Sequence, residues 1–441
     1  MTASVLKLER TTFRASRLLD FCSRKELIAQ TGHQVATWPV VAVKELLDNA
    51  LDACEEHDIA PEVDIRVDAG GITVTDNGPG IPSEVIDGVL DFSVRVSSRE
   101  AYVAPDRGAQ GNALKTLVMM PYVVHGQVGA IEVAARKVLH RITVRLDALR
   151  QQPDCTVDRQ PCKRTTGTLV HVHWPVSACS ILQDSKARFL QVAEDFVFLN
   201  PHLSLRVDWF GTSSTFERTD PAWVKWKPNE PTSPHWYGIE HMARLVRAYL
   251  VHDLENGRER TVRELIAEFR GLTATAKQKL VLDETGLSRQ PLSALKNGQD
   301  IDHDRIAGLL VSMQRHSKPV KPMHLGLIGE AHIRARFEQL SVMPDTFSYT
   351  KDQGVEDGVP WAAECAFGMR PDGCARRFVT GVNWSPGILN PFRELGRFGQ
   401  SLDAVLEQQR VSADDECAFL LHMVCPRVEY QDRGKSSVVL T

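Results

Sequence analysis

A glutamate, an asparagine and an aspartate stand at positions 45, 49 and 52 of the chain, a spacing that stacks side chains along one edge of a helix. A carboxylate such as Glu45, within hydrogen-bond reach of a water, can act as a general base. An amide one turn away, Asn49, can complete the oxygen shell of a magnesium ion that keeps several of its waters. Further on, Asp76-Asn77-Gly78-Pro79-Gly80 sets an acid before two glycines. The acid can accept the exocyclic amino proton of an adenine, and the glycines let the backbone approach a flat ligand closely. A second glycine loop, Arg107-Gly108-Ala109-Gln110-Gly111-Asn112-Ala113-Leu114-Lys115, runs into the apolar stretch Thr116 to Met120. Exposed backbone N–H groups that open a helix bind phosphate. Taken singly, the acidic edge also reads as a solvated helix face, and each glycine motif as an ordinary turn.

These residues need elements to hold them. Leu46, Leu47, Ala50, Leu51 and Cys54 supply the apolar stripe that fixes a helix over Lys44–Ala53 to a sheet. Glu62 to Asp68 alternates apolar and polar residues, Ala69-Gly70-Gly71 turns the chain, and Ile72 to Thr75 alternates again, which is a hairpin ending at Asp76. Thr166-Gly167-Thr168 leads into the alternating Leu169-Val170-His171-Val172-His173.

The chain has 441 residues, 43% hydrophobic and 24% charged, enough for two or three domains with their own cores. No apolar run is long enough to span a bilayer, and the first residues lack a secretory core, so a cytoplasmic, nucleoid-associated location is expected. Nine cysteines without tight pairing are expected to be reduced and mostly buried. A net charge of −4 says little about nucleic acid, because a clamp can carry a basic inner surface inside an acidic whole.

In this order, the helix with Glu and Asn, the Asp-x-Gly-x-Gly turn, the glycine-rich lid and Thr168 at a strand start resemble the Bergerat-fold ATPases, which include gyrase-type topoisomerases, mismatch-repair ATPases and histidine kinases. Later segments narrow the resemblance to the B subunit of topoisomerase VI: Thr12-Phe13-Arg14, Asn200-Pro201-His202, Ser233-Pro234-His235-Trp236-Tyr237, Leu325-Gly326-Leu327-Ile328-Gly329-Glu330, and Val428 through Lys435. The resemblance implies ATP and Mg2+ as cofactors. Glu45 becomes the general base and Asn49 the magnesium ligand. Asp76 would bind adenine with Thr168 through a shared water, Gly78 and Gly80 passing close to the base, while Ser97 and Ser98 line the nucleotide's edge. Arg107, Gly108, Ala109, Gln110, Gly111, Asn112, Ala113, Leu114 and Lys115 would wrap the triphosphate, and Lys435 would reach the γ-phosphate from a second domain. Asp52 falls back to a structural role. Ala113 stands where the family commonly has glycine, and Lys115 either reaches phosphate or faces solvent.

The fold class so implied is α+β: a Bergerat-fold ATPase α/β sandwich, a small helix–two-turn–helix insert, and a second α/β sandwich, an S5-like transducer. The expected organisation is an amino-terminal strap over 1–36, the ATP-binding domain over 37–210, a linker rich in Pro, Ser and Thr over 211–236, the helical insert over 237–320 and the transducer over 321–441, with its lever helix absent because the sequence stops six residues after Lys435. Candidate helices in the insert run over His241–Leu250, Thr261–Phe269, Ala274–Asp283 and Ile306–Met313. Its basic residues can touch phosphates or form a solvated salt-bridged surface. The function implied is an ATP-dependent homodimer that clamps double-stranded DNA and gates cleavage by a separate tyrosine-bearing A-type subunit in an A2B2 complex. The alternative is an ATP-dependent DNA clamp or switch without strand passage, for example in recombination or in defence against foreign DNA.

Overall fold

The computed structural model describes residues 22–90, 101–107, 113–147, 152–227, 229–393, 400–412, 414–430 and 437–439. Helix α1 (Arg24–Thr31) opens where the Ser23 hydroxyl accepts from Glu26 N and closes on Gly32 in the left-handed region, a paired start and stop signal. Helix α2 (Trp38–Glu56) begins with Pro39 in its first turn, where the missing N–H has no partner to lose. Strands β1 (Glu62–Asp68) and β2 (Gly71–Thr75) form the expected hairpin, Asp68 opposite Gly71. Then come α3 (Ser83–Leu90), α4 (Ala113–His125), β3 (Gly129–Ala135), β4 (Val138–Asp147), β5 (Gln152–Pro161), β6 (Thr168–His173), α5 (Cys179–Asp184), α6 (Lys186–Leu199), β7 (Ser204–Trp209) and β8 (Thr212–Phe216).

These strands make one eight-stranded sheet in the order β5-β4-β3-β6-β2-β1-β7-β8. All neighbours are antiparallel except β1 and β7, which run parallel because α6 carries the chain across before β7. Strand alternation gives the sheet one apolar and one polar face. On the apolar face Ile65, Val67, Ile72, Val133 and Val172 bury against Leu47 and Leu51 of α2, Leu117 of α4 and Phe196 of α6. On the other, Ser213, Asp208, Arg66, Thr73, His171, Glu132, Arg141 and Asp158 stand side by side in register across all eight strands. Arg141 Nε lies 3.0 Å from Glu132 Oε1, and Ser213 Oγ donates to Asp208 at 2.7 Å. Strand β8 falls inside the stretch that composition marks as linker, so the sheet does not end at residue 210. A solvated edge strand of Thr and Ser has the composition of a linker.

The helical layer holds α7 (Ile239–Glu255), α8 (Val262–Ala267), α9 (Thr275–Thr285), the short pair β9 (Lys296–Asn297) and β10 (Asp300–Ile301), and α10 (His303–Arg315). Helix α8 starts on a capping box between Thr261 and Glu264, which satisfies two orphan amides reciprocally. Beyond it lie α11 (Glu330–Gln339), β11 (Ser348–Glu356), β12 (Val359–Met369), β13 (Arg377–Val382), β14 (Ser385–Pro386), α12 (Leu402–Gln408), β15 (Cys417–Val424), β16 (Glu429–Tyr430) and β17 (Val438–Val439). The second sheet has the order β11-β12-β15-β13-β14. The helical layer does not keep a core of its own: Leu245, Ile266, Phe269 and Leu309 belong to the same buried cluster as Ala362, Val379, Trp384 and Leu420 of the second sheet. The cysteines are all free, as expected, but only Cys54 and Cys417 are buried and the other seven are half-buried.

A buried set of charges joins the two sheets. The Arg107 guanidinium is fully enclosed and donates to Asp52 Oδ1 at 2.7 Å and to both Glu55 oxygens at 2.6 and 2.7 Å, and also to Asn200 Oδ1. Lys225 Nζ lies 2.8 Å from Glu55 Oε2 and 4.4 Å over the Trp384 ring. His202 Nε2 is 3.0 Å from Glu55 Oε1, and Asn200 Nδ2 donates to the Trp384 carbonyl at 2.9 Å. Burial works to raise the Glu55 carboxyl, but the charges of Arg107 and Lys225 and the hydrogen bonds from His202 and Arg107 overcome it and hold it well below the carboxylate range. A carboxyl depressed on folding contributes stability above its unfolded value of about 4.3 and loses it as pH falls through the folded value. Glu55→Gln, which leaves a buried guanidinium short of charge, should cost about 3–5 kcal/mol at neutral pH. In thermal denaturation the gap between wild type and this variant should close as pH falls below about 4; a gap that stays constant would show that Glu55 is not ionised in the fold.

Candidate nucleotide-binding site

Helix α2 divides its polar residues between two sides. Glu45 is half-buried and Asn49 exposed, whereas Asp48, Asp52 and Glu55 are buried. Asp52 goes with the buried set through its bond to Arg107, the structural role expected of it. Asp48, between Glu45 and Asn49, pairs with Lys44 Nζ at 2.7 Å and accepts from Ser385 Oγ of β14 at 2.9 Å. The helix that bears the expected base is thus hydrogen-bonded directly to the second sheet.

The Asp76–Gly80 turn lies against the carboxyl-terminal half of α2. A Cβ on Gly78 would meet Cys54 Sγ at 3.3 Å and Ala53 Cβ at 3.7 Å, so the backbone of the turn packs closely on the helix there. Asn77 ties the turn down: Glu62 N donates to its Oδ1 at 2.9 Å, and its Nδ2 donates to the Ala60 carbonyl at 3.0 Å. Asp76 Oδ1 accepts from Gly78 N at 2.8 Å and from Thr168 N at 3.0 Å, while Asp76 N donates to Thr168 O at 2.9 Å. A carboxylate has about four lone-pair sites, so an acid oriented by two amides retains acceptor capacity for an amino group. Burial raises the Asp76 carboxyl above its ordinary value against the pull of those two amides. Gly167 N donates to Gly78 O at 2.7 Å. A Cβ on Gly167 would sit 2.0 Å from the Asp76 carbonyl oxygen, and its φ of +70° favours glycine.

The structure therefore brings together Asp76, Gly78, Gly80 and Thr168 beside α2. Ser97, Ser98, Gly108, Ala109, Gln110, Gly111, Asn112 and Lys435 lie outside the described residues. Ala113 and Leu114 begin helix α4. Lys115 is 1% exposed and does not face solvent. Arg107, expected among the nucleotide's ligands, is corrected: two acids one turn apart on α2 and the Asn200 amide enclose its fork, and bidentate carboxylates suit a guanidinium as well as phosphate does. Among the described residues no cluster of three or more His, Cys, Asp and Glu can hold a metal by itself, so a magnesium ion here would draw its remaining oxygens from phosphate and water.

Two contacts here carry no local sequence signal: Ser385, whose partner Asp48 is 337 positions away, and Arg136, which donates to the Pro79 carbonyl at 3.4 Å. Burial, and after it the charge of Asp48, push the Tyr430 phenol up. In the helical layer the basic candidates divide. Arg258 pairs with Glu264, Arg260 with Glu268 and Arg270 with Glu230, while Arg263, Lys279, Arg289 and Lys296 are exposed.

Residues 35–178 match the family described as histidine kinase-, DNA gyrase B-, and HSP90-like ATPase. The type 2 DNA topoisomerase 6 B subunit of Archaeoglobus fulgidus is 26% identical over 90% of this chain and 66% of its own length. That of Saccharolobus solfataricus is 23% identical over 90% of this chain and 74% of its own, and that of Methanosarcina mazei 28% identical over 46% and 33%. The chain thus spans only part of these relatives. Among solved structures, the ATPase region of Saccharomyces cerevisiae topoisomerase II aligns with a TM-score of 0.40 at 10% identity, covering 90% of this chain and 76% of that one.

Gly167→Ala forces either a strained φ or a displaced Asp76. Strain of about 1–3 kcal/mol expressed at Asp76 should weaken ATP-analogue binding about tenfold or more in a fluorescence titration. Unchanged affinity would separate Gly167 and Asp76 from the base site.

Proposed function

Because the chain is a homologue of topoisomerase 6 B subunits with a gyrase-, histidine kinase- and HSP90-like ATPase domain, we propose that it is the ATP-binding and hydrolysing subunit of a type IIB DNA topoisomerase. In this reading Asp76, with Thr168 beside it, takes the adenine amino group, and Gly78 and Gly80 leave room for the base. Glu45 polarises the attacking water from the accessible edge of α2. Asn49, an exposed amide one turn on, would hold Mg2+, whose charge offsets that developing on the phosphates. The amino-terminal end of α4 offers amides to the phosphates, and Lys435 would sense the γ-phosphate from the second domain.

The observation that carries the reading is the placement of the amide-oriented Asp76 against the helix that bears Glu45 and Asn49. The Asp48–Ser385 hydrogen bond supports transmission of the nucleotide state from that helix to the second sheet. On this basis two copies close on ATP around duplex DNA and gate cleavage by a separate tyrosine-bearing subunit, in an A2B2 assembly.

Glu45→Ala should bind an ATP analogue at wild-type affinity and lose roughly 100-fold or more in hydrolysis, whereas Asp76→Asn should lose binding. Hydrolysis at the parental rate in both variants would contradict the site. Gel filtration with a non-hydrolysable ATP analogue should give a dimer that is absent without it; a monomer in both conditions would contradict the clamp.

A further inference from the structure

We propose that residues 101–107 form a strap by which the helical layer positions α2, with Tyr102 as its anchor and Arg107 as its grip. Both are then positioning residues for hydrolysis at Glu45, and the inference rests on the ATPase reading above. The segment lies between strands of the eight-stranded sheet in sequence, yet Ala101, Tyr102 and Val103 pack into the buried cluster of the helical layer and second sheet.

Each end is held by specific bonds. The Tyr102 hydroxyl meets that of Tyr249 on α7 and donates to Glu268 Oε2 at 3.2 Å, an oxygen that also accepts from Tyr249. Arg260 backs this group, its guanidinium 3.6 Å over the Tyr249 ring and Nη1 3.1 Å from Glu268 Oε1. Val103 N donates to Tyr237 Oη at 2.9 Å, and Val103 O accepts from Thr232 Oγ1 at 2.6 Å. Then Asp106 O accepts from Asn383 Nδ2 at 3.2 Å, and Arg107 grips Asp52 and Glu55.

Four residues reach at most about 14 Å, and a turn in which Asp106 N donates to the Ala104 carbonyl at 2.8 Å keeps the Val103–Arg107 connection compact. With Val103 and Arg107 both buried, a shift of α7 and α8 is communicated through this short connection to Arg107 and α2, because packed interiors move as units. Burial raises the phenols of Tyr102 and Tyr249, so both remain donors to Glu268 at neutral pH. The nucleotide's base contacts at Asp76 and Thr168 take no part in the strap. Loss of the anchor should therefore appear in turnover and leave binding nearly unchanged.

The test uses the full chain with Tyr102→Phe, Tyr249→Phe and the double variant, which keep the rings and remove the hydroxyls. Each single change should lower kcat for ATP about tenfold with KM within about twofold, and the double variant should fall no further than the worse single one, because the hydroxyls share one acceptor. Hydrogen exchange in the α2 peptide should quicken in each. Arg107→Lys, which keeps the charge and loses the fork, should show the same split between kcat and KM. Wild-type kcat together with wild-type α2 exchange in both Phe variants would overturn the strap, as would an effect confined to KM. If the wild-type chain binds no ATP analogue, the nucleotide reading fails instead, and α2 exchange in the Phe variants still decides the strap.

Discussion

The enclosed guanidinium of Arg107 is the contact on which the arrangement of this molecule depends. Taking a cation and two carboxylates out of water is costly unless every donor and lone pair finds a partner. Here the fork spans Asp52 and Glu55 on one helix and reaches Asn200 at the end of another, with Lys225 and His202 completing the Glu55 carboxylate. The Trp384 carbonyl accepts from Asn200, and its ring lies under Lys225. The second sheet is therefore joined to this buried ion set through Trp384.

That constraint explains why α2 has two different sides. The side with Asp48, Asp52 and Glu55 is committed to Ser385, Arg107 and Lys225, while Asn49 is exposed and Glu45 half-buried on the accessible edge. A helix so anchored is a rigid mount for the base and metal ligand proposed at Glu45 and Asn49, as precise placement of reacting groups requires. The second sheet continues the polar path: Trp384 N donates to His422 Nε2 at 3.2 Å, and the buried Glu364 accepts from Ile328 N, Gly329 N and Tyr349 Oη, each at 2.8 Å.

What was legible in the sequence was local. The β1–β2 hairpin, the Asp76–Gly80 turn and the helix around Glu45 announce themselves by period and glycine placement, because neighbours in the chain decide them. Arg107 carries no such local signal, because its partners lie 52, 55 and 93 positions away, and a basic residue before a glycine loop looks the same whether it meets phosphate or carboxylate. Strand β8 was hidden by its exposed Thr and Ser, and β11 by an almost wholly exposed pattern that lacks alternation. The helical layer looked self-contained since amphipathic periodicity names an apolar face and not the surface that covers it.

The proposed nucleotide edge of α2 couples to the second sheet through the Arg107 cluster if the proposed function holds. Hydrogen exchange in β12 and β15, measured with and without a non-hydrolysable ATP analogue, tests it most directly. Nucleotide should slow exchange in those strands of the wild-type chain, and Arg107→Lys should abolish that response while the Asp76 turn still becomes protected. Identical exchange in β12 and β15 with and without nucleotide, alongside protection at Asp76, would contradict the account.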